Sequence, residues 1–349
     1  MDNIRLTVFA RSDVGRVRTN NEDAYLVSDL ASGARLDTPA IDVDVRDRGL
    51  LAVVSDGMGG HAAGDVASAL VVESLRKSLS DPAADHSSLQ RLIDGAIRQA
   101  NAEVREAARA ADKRGMGATL TAVLFHDHDA FVAEVGDSRG YLLRNGRLRQ
   151  ITKDQSFVQM LIDAGVLTSE QAKDSPQKNV ILQAIGREPG VRAAIGRLSL
   201  RRGDRLLLCC DGLSNLVKDA ELAALLGDRD VSTICDRMID LANERGGEDN
   251  LTAVVALVEG EGLPAPSMGE QAAQTVEVLQ EYMEGTPGPR AAIPATPGTE
   301  NTDVKLAPMP ASAASQARPN ERRSRQAWLV VVVVIGLVLA ALVAWRWLS

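Results

Sequence analysis

The sequence predicts an α+β layered domain, followed by a linker and a single membrane-spanning helix. Three observations carry this. Short apolar runs recur through residues 1–258, several of them joined in pairs by tight turns; long amphipathic segments fall between the pairs; and the C-terminal stretch is almost wholly apolar. Hairpin spacing favours antiparallel pairing, and helices set between hairpins, rather than after every strand, argue against a doubly wound sheet.

In chain order, strands are expected at Arg5–Ala10, Ala24–Ser28, Leu50–Ser55, Ala118–Phe125, Ala130–Val135, Gly140–Arg144, Arg205–Cys210 and Leu251–Val258. HDHD at 126–129 and RNG at 144–146 carry hairpin-turn chemistry. Helices are expected at Gly64–Leu79, Ser88–Ala111 and Val231–Glu244, where apolar residues recur at helical spacing. A helix pair fits 154–173, with Gly165 as a stop and Thr168-x-x-Gln171 as a capping box.

Residues 259–326 are rich in Pro, Gly, Ala, Ser and Thr, a composition that buries too little apolar surface to offset its ordering entropy, so a flexible tether is expected. Within it, 269–285 suggests a short helix. From Trp328 to Trp345 the chain has no charged residue. As a helix it would span about 27 Å, close to the hydrocarbon thickness of a bilayer. Trp328, Trp345 and Trp347 bracket this stretch as interfacial tryptophans do, and Arg322, Arg323 and Arg325 precede it. A transmembrane helix over 327–347 is therefore expected, with everything N-terminal to it in the cytoplasm and the protein in the inner membrane.

Composition narrows the function classes. Net charge is −8, which argues against general nucleic-acid binding. Aromatic residues make up only 3%, so the core must be built mostly of Val, Leu, Ile and Ala. Cys209, Cys210 and Cys235 form neither a CxxC pair nor a disulfide framework and read as small buried hydrophobes. The sixth residues after them are Asn215, Leu216 and Leu241, which excludes a phosphatase built on a Cys-x5-Arg loop. The chain has no Gly-Lys dipeptide with which to close a nucleotide phosphate loop.

One pattern recurs. The apolar run Leu50–Val54 ends in Ser55-Asp56-Gly57-Met58; VAEV leads into Gly136-Asp137-Ser138-Arg139; LLLCC leads into Asp211-Gly212. In reverse order, Glu248-Asp249-Asn250 and Asn21-Glu22-Asp23 each precede a strand. A single Asp-Gly is ordinary turn chemistry. Several carboxylates at strand ends suit convergence at one end of a sheet, where anions repel unless cations neutralise them. A nearly pure oxygen donor set with no Cys/His cluster fits Mg2+ or Mn2+ better than zinc, and Gly57 is placed to offer a backbone carbonyl. Two such ions sharing a carboxylate and a water activate that water near neutral pH. Arg18, five residues before Asp23, is either a guanidinium for phosphate oxygens or an ordinary surface ion pair. Together these parts describe phosphoester hydrolysis.

RTNNEDAY, VVSDGMGGHAAGDVAS, GMGATLTAVL, VGDSRGYLLRNG, NVILQAIG, LLLCCDGLSN and GGEDNLTAVVA follow in order across residues 5–258. This set resembles the bacterial metal-dependent protein phosphatases of type 2C. The resemblance implies a four-layer α-β-β-α sandwich of two antiparallel sheets flanked by helices, hydrolysing phosphoserine and phosphothreonine. It implies that Asp56 bridges two metals, with the Gly57 carbonyl on one of them, that Asp211 and Asp249 complete the first metal's ligands, and that Glu22 reaches the second through water. Asp23 is a further candidate ligand, Asp137 would help bind a third ion with Asp211, and Arg18 would hold the phosphate. Residues 153–190 correspond to a mobile flap.

The sequence departs from the family pattern at Met58, where eukaryotic members often have histidine, and at Asp154-Gln155-Ser156, where bacterial flaps often read DHS. His61 is a candidate acid or a helix-capping residue. Membrane-bound phosphoproteins, including receptor-type Ser/Thr kinases and their substrates, are the expected partners. The alternative reading is a catalytically inactive, membrane-tethered module that binds phosphoproteins.

Overall fold

The computed structural model describes residues 4–282 except 46, 61–62, 114, 229–232 and 272–274. Its strands are β1 (Arg5–Asp13), β2 (Asp23–Asp29), β3 (Ala34–Arg35), β4 (Ala40–Asp44), β5 (Leu50–Met58), β6 (Gly117–Ala118) and β7 (Leu120–His126). They continue as β8 (Asp129–Val135), β9 (Arg139–Arg144), β10 (Arg147–Gln150), β11 (Ala194–Ser199), β12 (Arg205–Cys209), β13 (Leu251–Glu259) and β14 (Val276–Gln280). The helices are α1 (Gly64–Ser80), α2 (Leu89–Ala110), α3 (Phe157–Asp163), α4 (Ser169–Lys173), α5 (Asp211–Ser214), α6 (Asp219–Leu226) and α7 (Ile234–Glu244).

Two antiparallel sheets form the centre. One runs β10-β9-β12-β13-β1-β4; the other runs β14-β11-β8-β7-β5-β2-β3, with β6 on the end of β5. Strand alternation explains why β5 is apolar without a break. Leu50, Ala52 and Val54 enter the core between the sheets, while Leu51 and Val53 face the helix layer of α1 and α2. A strand buried on both faces has no polar side to alternate with. On the far side α6 and α7 pack Leu222, Leu226, Met238 and Ile239 against the other face of the first sheet, in one cluster with its core. The helix–sheet–sheet–helix layering thus agrees with the fold expected from the resemblance.

All eight expected strands and the helices near 64–80, 89–110 and 157–173 are present. The Thr168 capping box forms, and Gly165 takes φ +68° after α3. α7 begins at Ile234, and the residues just before it lie outside the described set.

The C-terminal side needs a correction. Residues 269–285 were expected to hold a short helix, but Val276–Gln280 form β14, antiparallel to β11. The physical reason is the unsatisfied edge that β11 offers to any extended, β-prone segment. Val276 packs against the inter-sheet core and Leu279 against the helix-side core. Ordered structure therefore continues past 258, the boundary expected between domain and linker. Arg144, 2% exposed, fastens this extension. Its guanidinium donates to both carboxylate oxygens of Asp204 (2.7 and 2.5 Å), to Thr275 Oγ1 (2.6 Å), to Glu270 Oε1 (3.3 Å) and to the Ser199 carbonyl (2.9 Å).

No described helix is long and apolar enough to cross a membrane. The anchor expected at 327–347, and the linker from 283 onward, lie outside the described residues, as does His61.

Candidate metal centre

The expected carboxylates gather at one end of the sandwich, around a cleft of about 510 Å3 lined by Glu22, Asp56, Gly57, Asp137, Asp211 and Asp249, with Arg18 at its edge. Asp56 comes from the end of β5 and Asp23 from the start of β2, directly opposite each other in the antiparallel register. Like charges at such a position repel. Sheet pairing therefore enforces a contact that two carboxylates would not choose.

Backbone hydrogen bonds hold Asp56 in place. The Thr119 N–H donates to the Asp56 carbonyl (2.8 Å), and the Asp56 N–H donates to Thr119 Oγ1 (2.9 Å). Thr119 Oγ1 in turn lies 2.7 Å from Ser138 Oγ, next to Asp137. Glu22 is packed against glycines. A Cβ on Gly64 would stand 2.0 Å from Glu22 Oε2, and one on Gly57 would stand 2.1 Å from the Gly64 carbonyl oxygen. On the other side, a Cβ on Gly212 would fall 2.2 Å from the Asn250 carbonyl oxygen, so the loops of Asp211 and Asp249 also close tightly. Only glycine permits these approaches.

Electrostatics fit a cation site. Burial, then the charges of Asp23, Asp211, Asp137 and Asp249, push the Asp56 carboxyl well above the usual range. Burial followed by Asp211 and Asp154 does the same to Asp137, and burial with Asp249 raises Asp211. Asp23 is pushed up to about 7, chiefly by burial, although it accepts a 2.6 Å hydrogen bond from Thr252 Oγ1. Its other oxygen, Oδ1, is buried with no hydrogen-bond partner. An all-oxygen, mutually repelling donor set with an orphaned carboxylate oxygen is what a hard divalent cation takes. Among the described residues, no three carboxylates close around a single point. Mg2+ and Mn2+ commonly complete their shells with water and carbonyl oxygen, and one oxygen of Asp249 is engaged elsewhere: its Oδ2 accepts from Arg18 Nη2 at 2.9 Å. Of the two sequence readings of Arg18, the structure thus shows an ion pair, but one made to a residue of the cleft itself.

Several supporting residues carried no sequence signal. Asn250 accepts from the Glu22 N–H (2.8 Å) and donates to the Val14 (3.0 Å) and Asn20 (2.9 Å) carbonyls, tying the Arg18 loop to the Asp249 loop. The flap is bolted to the Asp137 loop. Asp154 takes a bidentate pair from Arg139 (2.9 and 2.6 Å), and Gln155 exchanges hydrogen bonds with Gly136 through its backbone N–H (2.8 Å) and its Oε1 (3.0 Å). Gln155, the one residue here that departs from DHS, therefore serves with Asp154 as a brace. Asn179, Val180, Ile181 and Arg187 from the flap region line the cleft. All three cysteines are buried, as expected, and burial pushes the thiols up, to about 12 for Cys209 and Cys235.

A protein phosphatase 2C family model matches residues 37–256. The serine/threonine protein phosphatase PstP of Mycobacterium tuberculosis is 43% identical over 250 residues, 71% of this chain but 44% of that protein, so the chain spans less than half the length of this relative. The serine/threonine phosphatase stp of Listeria innocua is 38% identical over 71% of this chain and 94% of its own length. A solved structure of the PstP catalytic domain in complex with two manganese ions superposes with a TM-score of 0.61 at 39% identity, covering 73% of this chain and 99% of the other. With the family's motifs folded into one cleft and matched along 94% of a relative's length, the chain belongs to the protein phosphatase 2C family.

Proposed function

We propose that this chain is a metal-dependent protein serine/threonine phosphatase that hydrolyses phosphoserine and phosphothreonine in proteins, tethered to the inner membrane with its catalytic domain in the cytoplasm. The observation that carries the chemistry is the enforced opposition of Asp23 and Asp56 within a cluster that Asp137, Asp211 and Asp249 complete. Asp56, Asp211 and Asp249 would hold one Mn2+ or Mg2+ ion; Asp56, and Glu22 through water, would hold a second, with Asp23 beside them; the Gly57 carbonyl would serve one of these two, and Asp137 and Asp211 would hold a third. When bound, the ions supply an activated water and charge neutralisation for attack on a phosphoryl group.

The chain's own residues do the rest. Arg18 has 53% of its side chain exposed and can turn from Asp249 to a phosphate, presenting two N–H donors in one plane. Thr119 and Asn250 keep Asp56 and Glu22 from drifting. Met58 has no proton to give, so the leaving alkoxide takes its proton from water. The apolar run at 328–345, with its tryptophan brackets and preceding arginines, supports the tether. Confinement to the membrane raises the effective concentration toward membrane-bound phosphoproteins, with receptor-type Ser/Thr kinases and their substrates as partners.

The test is phosphate release from a phosphothreonine peptide by the full chain, with Mn2+ or EDTA, beside Asp211→Asn. Release should require metal and fall by more than ~100-fold in the variant, beyond what loss of an outer partner causes. A folded protein that releases nothing with any divalent cation would leave only phosphoprotein binding. Tethering is checked by deleting residues 327–349: phosphorylation of membrane-bound substrates in cells should rise, and an unchanged level would overturn that part.

A further inference from the structure

A second concavity, of about 530 Å3, borders the metal cleft, and Arg187 lines both. Its walls are the C-terminal end of α2 and the segment 186–188. Among the described residues, Arg105, Arg109, Lys113 and Arg187 line it, against Asp112 and Glu188. This local excess of positive charge stands on a chain whose net charge is −8. Among these cations, the ion pair found within the described residues is the loose one between Arg109 and Glu106, at 3.9 Å.

The groove is built rigidly. Asn101 of α2, 3% exposed, accepts from the Gly186 N–H (2.7 Å) and donates to the Glu188 carbonyl (3.0 Å), clamping the two walls together. Gly186 lies at φ +92°, and a Cβ there would meet Val104 Cγ1 at 2.3 Å, so α2 and this segment touch backbone to side chain. Ala118 and Ile185 exchange backbone hydrogen bonds (3.0 and 2.8 Å), and Ala118 pairs across β6 with Gly57 of β5. The Arg187 stem crosses Gly117, where a Cβ would stand 2.9 Å from its Cγ. A short chain of backbone contacts therefore sets the basic groove at a fixed offset from Asp56.

We propose that this groove is an exosite for a second anionic group on the substrate protein, an acidic side chain or a second phosphorylated residue near the one at the metal centre. The inference rests on the phosphatase reading and adds a substrate class to it: clustered phosphosites and phosphosites in acidic sequence.

The test uses the full chain and phosphothreonine peptides in three forms. One has neutral flanks, one has glutamates placed before or after the phosphothreonine, and one has a non-hydrolysable phosphonate residue in place of the glutamates. Glutamate and phosphonate peptides should exceed the neutral one in kcat/KM by roughly five- to tenfold, through KM and with a salt-sensitive margin. Arg105→Glu with Lys113→Glu should bring that ratio to one. If only the phosphonate peptide gains, the groove reads phosphoryl groups; if both gain, it reads negative charge. A wild-type ratio of one, or a ratio that charge reversal leaves unchanged, overturns the exosite.

Fluorescence anisotropy of a labelled glutamate-rich peptide lacking phosphothreonine needs no turnover. Saturable binding lost in the double variant supports the groove even if no peptide is hydrolysed, an outcome that would overturn the phosphatase reading alone. Absence of saturable binding in that case overturns the exosite as well.

Discussion

Replacing Asp23 with asparagine should stabilise the metal-stripped protein at pH 8 and lose that benefit as the pH falls to about 4. Asp23 moves from an ordinary 3.8 to about 7 in the folded chain. A carboxyl whose folded value is raised favours folding while protonated; its contribution is whole below its unfolded value and is lost as the pH rises through the folded one. Three pH units at 1.36 kcal/mol each set a ceiling of about 4 kcal/mol on the penalty at pH 8. Neighbouring carboxyls relieve part of the repulsion by taking up protons themselves, so about 2 kcal/mol is the expected gain. Asparagine keeps an oxygen to accept the Thr252 hydroxyl and has no charge to set against Asp56. The assay is urea unfolding in EDTA at half-unit steps of pH, repeated with Mn2+, where the wild type should gain more than the variant. A variant less stable than wild type at pH 8 in EDTA, or a difference that does not change with pH, would refute the reasoning.

Arg144→Leu should cost about 3–5 kcal/mol, because it strands the fully buried Asp204 carboxylate; urea midpoints measure it, and Arg144→Leu with Asp204→Leu should recover much of the loss. Gly64→Ala places a methyl 2.0 Å from Glu22 Oε2 and must displace that carboxylate. The Mn2+ concentration for half-maximal phosphate release should rise about tenfold or more, with the circular dichroism spectrum unchanged. Asn250→Ala removes the three hydrogen bonds that join the Arg18 and Asp249 loops. Metal titrations should show a 10- to 100-fold loss in affinity of the kind that outer-partner changes cause, and an unchanged titration would show that Asn250 serves folding alone.

The central strands and the carboxylates were legible because their cause is local. Val, Leu and Ala runs of strand length must be buried wherever they are, and an aspartate that ends such a run has few places to go. What the sequence hid depends on partners distant along the chain. β14 exists because β11 has an open edge, and β6 is two residues long and shows no pattern of its own. Asn250 is one asparagine among several until the fold sets it beside Glu22. Arg18 was open to two readings, and its partner, Asp249, lies 231 positions away. The brace from Asp154 and Gln155 to the Asp137 loop likewise joins segments that only the fold brings together.

β1 lies between β4 and β13, and its register with β13 joins Arg5 to Glu259 and Asp13 to Leu251. A ribosome making this chain therefore releases β1 long before its main partner exists. At about 5–20 residues per second, the wait is on the order of tens of seconds. During that time the first sheet lacks its middle, and Glu22 and Asp23 have neither Asn250 nor Asp249 beside them. The Asp249 side of the cleft is completed only when β13 emerges, so a chain cut short before β13 carries most of the carboxylates, with Asp23 opposite Asp56, but an incomplete site. Long-range pairing of this kind is slow to find, and here it also delays assembly of the centre until nearly all of the domain has been made.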